Sequence, residues 1–140
     1  MSGLPKTDQQ SDAEWRSRLS QLQYHVTRQA GTEMPNTGIY NLENRKGNYH
    51  CICCGHLLFT SDMKYASGCG WPAFHTEHPN AGIIRLEDKA FGMFRVEVRC
   101  GSCDAHLGHV FDDGPMQHGG ERYCINSASM DFKMEGDNDE

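Results

Sequence analysis

The chain has 140 residues, 37% of them hydrophobic, so it is long enough for one domain with a lean core and too short for two independently folded domains. No apolar run reaches membrane-spanning length, so we expect no membrane partner. The formal net charge is −6, but four of these charges come from the last seven residues, and a nearly neutral body excludes a basic face for nucleic acid.

The two ends of the chain are predicted to lie outside the folded domain. Residues 1–11 have neither the apolar segment of a signal peptide nor the Arg-rich, acid-poor composition of a transit peptide, so we expect a cytoplasmic protein. Residues 134–140 carry four acidic side chains and no basic one, which is typical of a solvated, disordered tail. A single folded domain is therefore expected over residues 12–133.

The first predicted element is an amphipathic helix. Ser11 and Glu14 have the spacing of a capping box, in which the Ser11 hydroxyl accepts from the Glu14 amide and the Glu14 carboxylate reaches back. Behind them, large apolar residues recur at helical spacing: Trp15, Leu19, Leu22 and Val26. This pattern predicts a helix over roughly residues 12–27 with its apolar stripe in the core, followed by a loop over residues 31–38.

Beyond this loop the apolar pattern changes to the period of two that is typical of strands. Alternating runs separated by Gly-, Pro- and Asn-containing turns predict strands at 48–52, 57–60, 83–87, 93–100, 107–111 and 122–126. In the clearest of them, Phe94, Val96 and Val98 are predicted to face inward and the charged residues outward. The expected fold class is mainly β, an antiparallel sandwich or small barrel with an N-terminal helix.

Four of the seven cysteines form two C-x-x-C pairs, Cys51 with Cys54 and Cys100 with Cys103. Four thiolates are the number that a tetrahedral structural zinc takes, and a metal that binds only the folded chain would reinforce a lean core. Two structural disulfides are one alternative, but they are typical of secreted proteins, and the sequence shows no signal-peptide segment. A thioredoxin-like redox site is the other, but such a site needs only one C-x-x-C pair. The sequence therefore predicts one structural zinc that pins the β domain.

Cys53 complicates the first pair, since either Cys51 or Cys53 can in principle bind a metal beside Cys54. The C-x-x-C spacing favours Cys51, and Cys53 is then predicted to be a small apolar residue of the strand. The choice of ligands in this pair stays slightly open.

Cys124 lies in a predicted strand in which Arg122, Cys124 and Asn126 share one face, while Tyr123 and Ile125 pack into the core. A guanidinium beside a thiol favours its anion, so we expect a depressed pKa for Cys124, as a nucleophile requires. A buried, inert cysteine is the alternative, and the polar neighbours favour the functional interpretation.

Cys69 lies between Gly68 and Gly70, where the backbone meets little steric restriction. A mobile thiol suits a resolving cysteine, which must approach its partner closely to form a disulfide. An unpaired cysteine in a turn is equally compatible with the composition, so the residues alone leave the role of Cys69 open.

Four stretches of the chain resemble the B-type peptide methionine sulfoxide reductases. They are Ser67-Gly-Cys-Gly-Trp-Pro72, Arg99-Cys-Gly-Ser-Cys-Asp-Ala-His-Leu-Gly-His-Val-Phe111, Asp113-Gly-Pro115 and Gly120-Glu-Arg-Tyr-Cys-Ile-Asn-Ser-Ala-Ser129. With the first C-x-x-C pair and the N-terminal helix, the resemblance covers most of residues 14–132. It implies a zinc-bearing antiparallel β enzyme that reduces the R epimer of methionine sulfoxide, with Cys124 as nucleophile, Cys69 as resolving thiol and thioredoxin as reductant.

The resemblance also implies a pocket formed by Trp71, His106, His109, Asp113, Arg122 and Asn126. Within it we expect His109 to protonate the departing oxygen, directly or through a water, since histidine has an unperturbed pKa of about 6.5. His106 and Asn126 would be its hydrogen-bond partners. Asp113 would orient a histidine, Arg122 would favour the thiolate, and Trp71 would hold the substrate methyl group. Attack would leave a sulfenic acid on the nucleophile, which condenses with the resolving thiol to a disulfide.

A different class of protein shares part of this pattern, namely a non-catalytic zinc ribbon that binds a protein partner. It explains the C-x-x-C pairs equally well but leaves Cys69, Cys124 and the polar face of the last predicted strand unused. An oxidoreductase that acts on another sulfur oxide or on a disulfide is the second alternative. The main expectation is a monomer that acts on oxidised proteins, is regenerated by thioredoxin, and has no nucleic-acid or membrane partner.

Overall fold

The computed structural model describes residues 12–89 and 92–135. In this part of the chain two helices precede a β domain: α1 (Asp12–Arg18) and α2 (Gln21–Arg28). The strands are β1 (Gly47–Cys51), β2 (Leu57–Thr60), β3 (Lys64–Tyr65), β4 (Ala73–Phe74), β5 (Ile84–Asp88), β6 (Arg95–Arg99), β7 (His106–Phe111), β8 (Arg122–Ile125) and β9 (Met130–Met134). Short 3-10 turns lie at Ser61–Met63, Met116–His118 and Ser127–Ser129.

The strands form two antiparallel sheets, one of three strands in the order β2-β1-β9 and one of six in the order β3-β4-β8-β7-β6-β5. The strand β8, which carries Cys124, lies inside the larger sheet between β4 and β7. Both neighbouring strands can therefore place side chains beside that cysteine. The mainly β, antiparallel architecture with helices at its N-terminal side confirms the fold class expected from the sequence.

Aromatic side chains from both sheets meet in one core. The rings of Phe59 and Phe74 stack at a centroid distance of 4.1 Å, and Tyr49 and Tyr123 meet them edge-on. All four are buried, and such offset and edge-on pairs add to the free energy gained from apolar burial. Because Tyr49 and Phe59 belong to the smaller sheet and the other two to the larger, these contacts join the sheets into one domain.

The N-terminal helical region consists of two helices where the sequence predicts one over residues 12–27. Ser20 interrupts the pattern because it caps α2: its hydroxyl accepts from the Gln23 amide, and the Gln23 side chain accepts from the Ser20 amide. Because a second helix begins at Gln21, its apolar stripe is rotated relative to that of one continuous helix. Leu22 is therefore 49% exposed, contrary to the prediction, and Tyr24 is buried. The remaining residues of the stripe are buried as predicted: Trp15, Leu19 and Val26.

Each predicted strand has a counterpart, but the bounds differ. The strand β2 has the predicted bounds, whereas β6 begins only at Arg95, after a turn in which Gly92 has a φ of +71°. Phe94 therefore precedes the strand and is 70% exposed, contrary to the prediction, while Val98 is fully buried. Three strands of the structure are missing from the prediction. The strands β3 and β4 have only two residues each, which is too short to show an alternating pattern, whereas β9 does alternate and could have been found from the sequence.

The ends of the chain lie largely outside the described residues. These include the N-terminal segment 1–11, with the predicted capping residue Ser11, and residues 136–140 of the acidic tail. Met134 still belongs to β9, and the Glu135 amide donates to the Lys46 carbonyl oxygen over 2.8 Å. Within residues 12–89 and 92–135, neither helix combines the length and the apolar character needed to cross a membrane.

Candidate active site and metal centre

Four cysteine side chains converge where β1 and β6 end. The Sγ atoms of Cys51, Cys54, Cys100 and Cys103 lie within 4.8 Å of one another, with Cys51–Cys103 and Cys54–Cys100 separations of 3.6 Å. A tetrahedral zinc with Zn–S bonds of about 2.3 Å separates its sulfur ligands by about 3.8 Å. These residues, here called the four-cysteine cluster, are therefore positioned to bind a metal ion.

The same kind of turn presents both C-x-x-C pairs. The amides of Gly55 and Asp104 each donate to the carbonyl oxygen four residues earlier, at Cys51 and Cys100, over 2.8 Å. Both turn residues have a positive φ, +80° and +67°, which glycine adopts freely and aspartate tolerates better than most residues. Cys53 is buried in the first turn, but the sulfur atoms that converge are those of the C-x-x-C spacing.

Two arginines tie the helices to the four-cysteine cluster. Arg28 Nη2 donates to the Cys103 carbonyl oxygen over 2.8 Å and lies 3.9 Å from the Cys103 Sγ. Arg18 Nη2 donates to the Cys53 carbonyl oxygen over 2.8 Å. Both guanidinium groups lie over the Trp15 ring, at 4.4 and 5.0 Å from its centroid. The helices thus place positive charge beside sulfur atoms that are negative when they bind a metal.

The two remaining predicted site cysteines, Cys69 and Cys124, also meet, and they are called the thiol pair below. Their Sγ atoms are 3.2 Å apart, although 55 positions separate them in the sequence. Cys124 is half-buried on β8, as the alternation predicts. Cys69 lies in the loop before β4, between two glycines with φ values of +79° and +96°. Residues other than glycine rarely adopt these positive φ values, and this loop conformation brings the Cys69 thiol over the strand.

The two sulfur atoms lie within hydrogen-bonding distance, and a hydrogen bond between them moves the pKa values of the two thiols in opposite directions. The hydrogen bond with Cys124 lowers the pKa of Cys69 to about 5. The same bond and burial raise the pKa of Cys124, although the Arg122 guanidinium acts to lower it. The prediction of a depressed pKa for Cys124 is therefore wrong for the reduced thiol pair, in which Cys69 ionises first.

His109 lies on β7 directly opposite Cys124 in the antiparallel register. Its Nε2 atom is 2.9 Å from Asp88 Oδ2, and the same oxygen accepts from Arg95 Nη2 over 3.1 Å. Because a carboxylate only accepts hydrogen bonds, the arrangement favours a proton on Nε2. The imidazole is thus held by Asp88, whose charge Arg95 balances.

His106 lies on the same strand and is held by a different carboxylate. Its Nδ1 atom is 2.7 Å from Glu97 Oε2, which also accepts from Arg99 Nε over 2.8 Å. Burial lowers the pKa of His106, and Glu97 only partly offsets this effect. The ring meets that of His109 edge-on at a centroid distance of 5.8 Å, so the two histidines are in contact without the hydrogen bond we expected between them.

Asp113 pairs with Arg122 and not with a histidine, which corrects the expected role of Asp113. Its two carboxylate oxygens accept from Arg122 Nε and Nη2 over 2.8 and 3.1 Å, and the guanidinium lowers the pKa of Asp113. The guanidinium lies 4.5 Å above the Phe111 ring. Arg122 is therefore fixed from two sides, in the position from which it favours a thiolate at Cys124.

Trp71 and Asn126 are both anchored by Glu33, a buried residue that the sequence analysis placed in a loop without a role. Trp71 Nε1 donates to the Glu33 carbonyl oxygen over 3.0 Å, and the Glu33 amide donates to Asn126 Oδ1 over 2.9 Å. The Glu33 carboxylate accepts from the amides of residues 127 and 128, both over 2.9 Å. Asn126 Nδ2 donates to the Leu107 carbonyl oxygen, so this amide serves the backbone and not His109, contrary to our expectation.

A small cavity of about 80 Å³, called the reactive cavity below, opens beside Cys124. This volume is well below the roughly 300–1,000 Å³ of sites that enclose a whole small molecule, so the reactive cavity suits the end of one side chain. Of the predicted site residues, it is lined by Trp71, His109, Cys124 and Asn126. The others stand behind this lining: Cys69 against Cys124, His106 against His109, and the Asp113–Arg122 pair against Phe111, which also lines the cavity.

The carboxylates that hold the histidines are the functional residues that the sequence analysis missed. Asp88 ends β5, and Glu97 belongs to the β6 run whose charged residues were expected to face outward. Glu97 is only 9% exposed, contrary to that expectation. The sequence does contain a signal for Glu97. It is an acidic residue inside an alternating strand, and the neighbouring strand contains two histidines.

Comparison with known proteins agrees with this geometry. The model of the SelR domain matches residues 19–134. A probable methionine-R-sulfoxide reductase B of Caenorhabditis elegans is 54% identical over 121 residues, which cover 86% of this chain and 80% of the relative. The peptide methionine sulfoxide reductase MsrB of Pseudomonas putida (strain W619) is 55% identical over 120 residues, 86% and 90% of the two chains. That of Chromohalobacter salexigens is 51% identical over 124 residues, 89% and 93% of the two chains.

Proposed function

The chain belongs to the SelR domain family, and from that premise we propose that it is an enzyme that reduces methionine (R)-sulfoxide in proteins to methionine. The names of the relatives describe methionine sulfoxide reductases, and one of them specifies the R epimer. The observation that carries the proposal is the thiol pair, 3.2 Å apart, of which Cys124 opens into the reactive cavity beside Trp71 and His109.

The reactive cavity suits the end of an oxidised methionine side chain. A methyl sulfoxide presents a methyl group, a sulfur atom and a strongly accepting oxygen, and each has a counterpart in the lining. The Trp71 indole offers an apolar face for the methyl group. The Cys124 sulfur lies where it can attack the substrate sulfur. In its imidazolium form, His109 keeps the Nε2 proton on Asp88 and can donate its second ring proton to the oxygen.

The proposed reaction has three balanced steps. The Cys124 thiolate attacks the substrate sulfur, and the sulfoxide oxygen takes up a proton. The oxygen then passes to the Cys124 sulfur: a Cys124 S–O bond forms, the substrate S–O bond and the transient S–S bond break, and methionine leaves with its sulfur reduced by two electrons. The oxygen stays on Cys124 as a sulfenic acid. The Cys69 thiol then attacks this sulfur, which forms the Cys69–Cys124 disulfide and releases water. An external dithiol returns two electrons and two protons to the thiol pair and is itself oxidised to a disulfide.

The surrounding residues hold these groups in place. In the resting enzyme the Cys124 proton is shared with Cys69, so transfer of that proton over 3.2 Å leaves Cys124 as the thiolate that Arg122 stabilises. Asp88 holds the imidazole of His109 against the cavity. We assign positioning roles to the other predicted residues: His106 supports the His109 ring, Asp113 fixes Arg122, and Asn126 fixes the cavity wall.

We propose a structural zinc in the four-cysteine cluster. The donor set supports this metal, since four thiolates that lie within 4.8 Å of one another, two pairs of them at 3.6 Å, suit a closed tetrahedral zinc site. Such an ion cross-links the turns after β1 and β6 and contributes its binding free energy to folding. The four cysteines would supply all four ligands of such an ion, so none of its positions would be open for substrate and its role would be structural.

We further propose thioredoxin as the reductant and a monomer as the working form, with residues 12–133 as the catalytic domain. A disulfide formed close to the surface, between two incompletely buried thiols, is accessible to a dithiol protein. The same requirement for reduced thiols supports a reducing compartment such as the cytoplasm. A non-catalytic zinc ribbon would leave the thiol pair and the carboxylate-held histidines without a role.

The direct test is to incubate the purified protein with each epimer of N-acetyl-methionine sulfoxide and dithiothreitol and to measure N-acetyl-methionine. We expect product from the R epimer and essentially none from the S epimer. A matched preparation of Cys124→Ser should give none from either epimer. Reduction of neither epimer by the wild-type protein, or equal reduction of both, would overturn the proposal.

A further inference from the structure

Arg95 has no role in the sequence analysis, yet the sheet register brings it to the face of the sheet that carries the nucleophile. Glu97 pairs with His109 across β6 and β7, and His109 pairs with Cys124 across β7 and β8. Side chains two positions apart on a strand share a face, so Arg95 lies on the same face as Glu97, one step along the strand. The Arg95 side chain lines the reactive cavity together with His109 and Cys124. Register and cavity therefore put a guanidinium in the space that is open to the substrate.

Arg95 alone carries a permanent charge among the described residues that line the reactive cavity. Its Nη2 atom donates to Asp88 Oδ2 over 3.1 Å, which fixes one end of the guanidinium. Its Nε atom is buried and has no hydrogen-bond partner among the described residues. A buried N–H group without a partner is unfavourable, so the guanidinium is stabilised when an acceptor enters the cavity. Arg95 thus keeps donor capacity for a ligand.

The other N–H donors of this lining are largely engaged elsewhere. Trp71 Nε1 and one N–H of Asn126 Nδ2 already donate to backbone carbonyl oxygens. Neutral His109 keeps its proton on Nε2, which faces a carboxylate, so it offers the cavity a lone pair, and only its imidazolium form offers a second N–H. Arg95 is the donor whose charge does not depend on the protonation of a histidine.

The chemistry of the substrate matches such a donor. A sulfoxide oxygen carries partial negative charge, and this charge grows as a thiolate attacks the sulfur. A positive donor fixed beside the oxygen therefore binds the substrate and stabilises the transition state still more strongly. We propose that the Arg95 guanidinium donates a hydrogen bond to the sulfoxide oxygen and is a catalytic residue, while His109 delivers the proton. This inference rests on the proposed function and adds the group that binds the oxygen before the proton arrives.

The test separates binding of the oxygen from binding of the rest of the side chain. One ligand is N-acetyl-methionine (R)-sulfoxide methyl ester, called the small substrate below, and the other is the thioether N-acetyl-methionine methyl ester, which lacks only the oxygen. The host protein is Cys124→Ser, which has no thiolate at this position, so an effect of Arg95 on the nucleophile cannot contribute. Dissociation constants are measured by NMR titration of the Trp71 indole N–H resonance.

Three variants of the host protein are compared. Arg95→Met keeps the apolar stem of the side chain and removes the charge. Arg99→Met is the matched control, because Arg99 lies on the same strand and likewise binds a carboxylate that holds a histidine, but does not line the reactive cavity. Asp88→Asn tests whether Arg95 acts only through that carboxylate, since it removes the negative charge and leaves the guanidinium in place.

We expect the host protein to bind the small substrate more tightly than the thioether. Arg95→Met should weaken binding of the small substrate by about tenfold or more, as for the loss of a hydrogen bond to a charged group, and change binding of the thioether by less than about twofold. Arg99→Met and Asp88→Asn should both preserve the affinity ratio of the two ligands. With Cys124 intact, Arg95→Met should lower kcat/KM for the small substrate by about a hundredfold, because the charge on the oxygen grows in the transition state.

Three outcomes would overturn the inference while the proposed function stands: equal binding of the two ligands by the host protein, an affinity ratio that Arg95→Met does not change, or the same oxygen-dependent loss in Asp88→Asn as in Arg95→Met. The second would show that Arg95 only maintains the shape of the cavity, and the third that it acts through Asp88. Failure of the wild-type protein to reduce the small substrate would instead be a failure of the proposed function, and this outcome overturns both.

Discussion

The four-cysteine cluster and the thiol pair both bring cysteine sulfur atoms together, at 3.6 and 3.2 Å, but their surroundings differ. Three of the four sulfur ligands in the four-cysteine cluster belong to buried residues, and all four sit in turns that backbone hydrogen bonds fix. The thiol pair joins a strand to a glycine loop, and both of its residues are half-buried. Cysteine chemistry is the same in both places, so accessibility and the neighbouring groups decide which sulfur atoms react.

Each site also has an arginine beside it, with a different consequence. Arg28 contacts Cys103 within a closed set of four sulfur atoms, where positive charge would stabilise the thiolates that a metal ion requires. Arg122 lies near the thiol pair, where the same charge favours a free thiolate next to a cavity. The contrast shows that a guanidinium beside a cysteine does not by itself indicate a nucleophile. An open space for substrate must accompany it.

The largest expected effect comes from breaking the four-cysteine cluster. Cys100→Ser should lose the metal and unfold the domain, because structural zinc sites contribute on the order of 10 kcal/mol to folding. Metal analysis and thermal unfolding followed by circular dichroism measure both losses. Cys53→Ala, a change in the same region, should retain one zinc per chain. A fully folded Cys100→Ser protein, or loss of zinc from Cys53→Ala, would show that the ligands are assigned wrongly.

The second effect separates the members of the thiol pair. Cys124→Ser should produce no methionine even in a single turnover, because no step precedes its attack. Cys69→Ser should release up to one methionine per enzyme and stop at the sulfenic acid, because resolution follows attack. Rapid-quench analysis of methionine and trapping of the sulfenic acid with dimedone distinguish the two variants. If Cys69→Ser abolishes the first turnover, Cys69 takes part in the attack itself.

A smaller effect is expected at the histidine that faces the reactive cavity. His109→Ala should lower kcat by about a hundredfold or more, which is the contribution of a general acid. His118→Ala, in the 3-10 turn at Met116–His118, should lower kcat by less than about twofold, as for a surface substitution away from the site. Single-turnover rates with the small substrate provide the comparison. Equal losses in the two variants would contradict the assignment of His109 as the acid.

The smallest effect concerns proton sharing within the thiol pair. In Cys69→Ser the thiolate partner is gone while Arg122 remains, so the pKa of Cys124 should fall from its raised value to below the roughly 8.5 of a free thiol. Its alkylation by iodoacetamide should then follow the thiolate fraction and fall about tenfold per pH unit below that pKa. Adding Arg122→Met should raise the midpoint again, whereas Arg45→Met should not. If the pH midpoint of Cys124 alkylation does not change when Arg122→Met is added, this electrostatic account is refuted.

The sequence predicts those features of the fold and site that depend on local patterns. The C-x-x-C spacing identifies the residues that converge in the four-cysteine cluster, and alternation places Cys124 on the less buried face of β8. Predictions from such patterns fail where tertiary contacts determine which way a side chain faces. Glu97 faces inward because His106 and Arg99 bind it, and Leu22 faces outward because a second cap restarts the helix. Likewise, the role of Glu33 depends on partners that lie 38 and 93 positions away.

The central claim is that the fold divides six of its seven cysteines into a metal-binding set and a redox pair. It is tested most directly by adding excess methionine (R)-sulfoxide, without reductant, to the fully reduced, zinc-loaded protein, and then measuring bound zinc and mapping disulfides by mass spectrometry. We predict one molecule of methionine released per chain, a single disulfide between Cys69 and Cys124, and complete retention of zinc. Release of zinc, or a substrate-dependent disulfide that involves Cys53 or a member of the four-cysteine cluster, would contradict the claim.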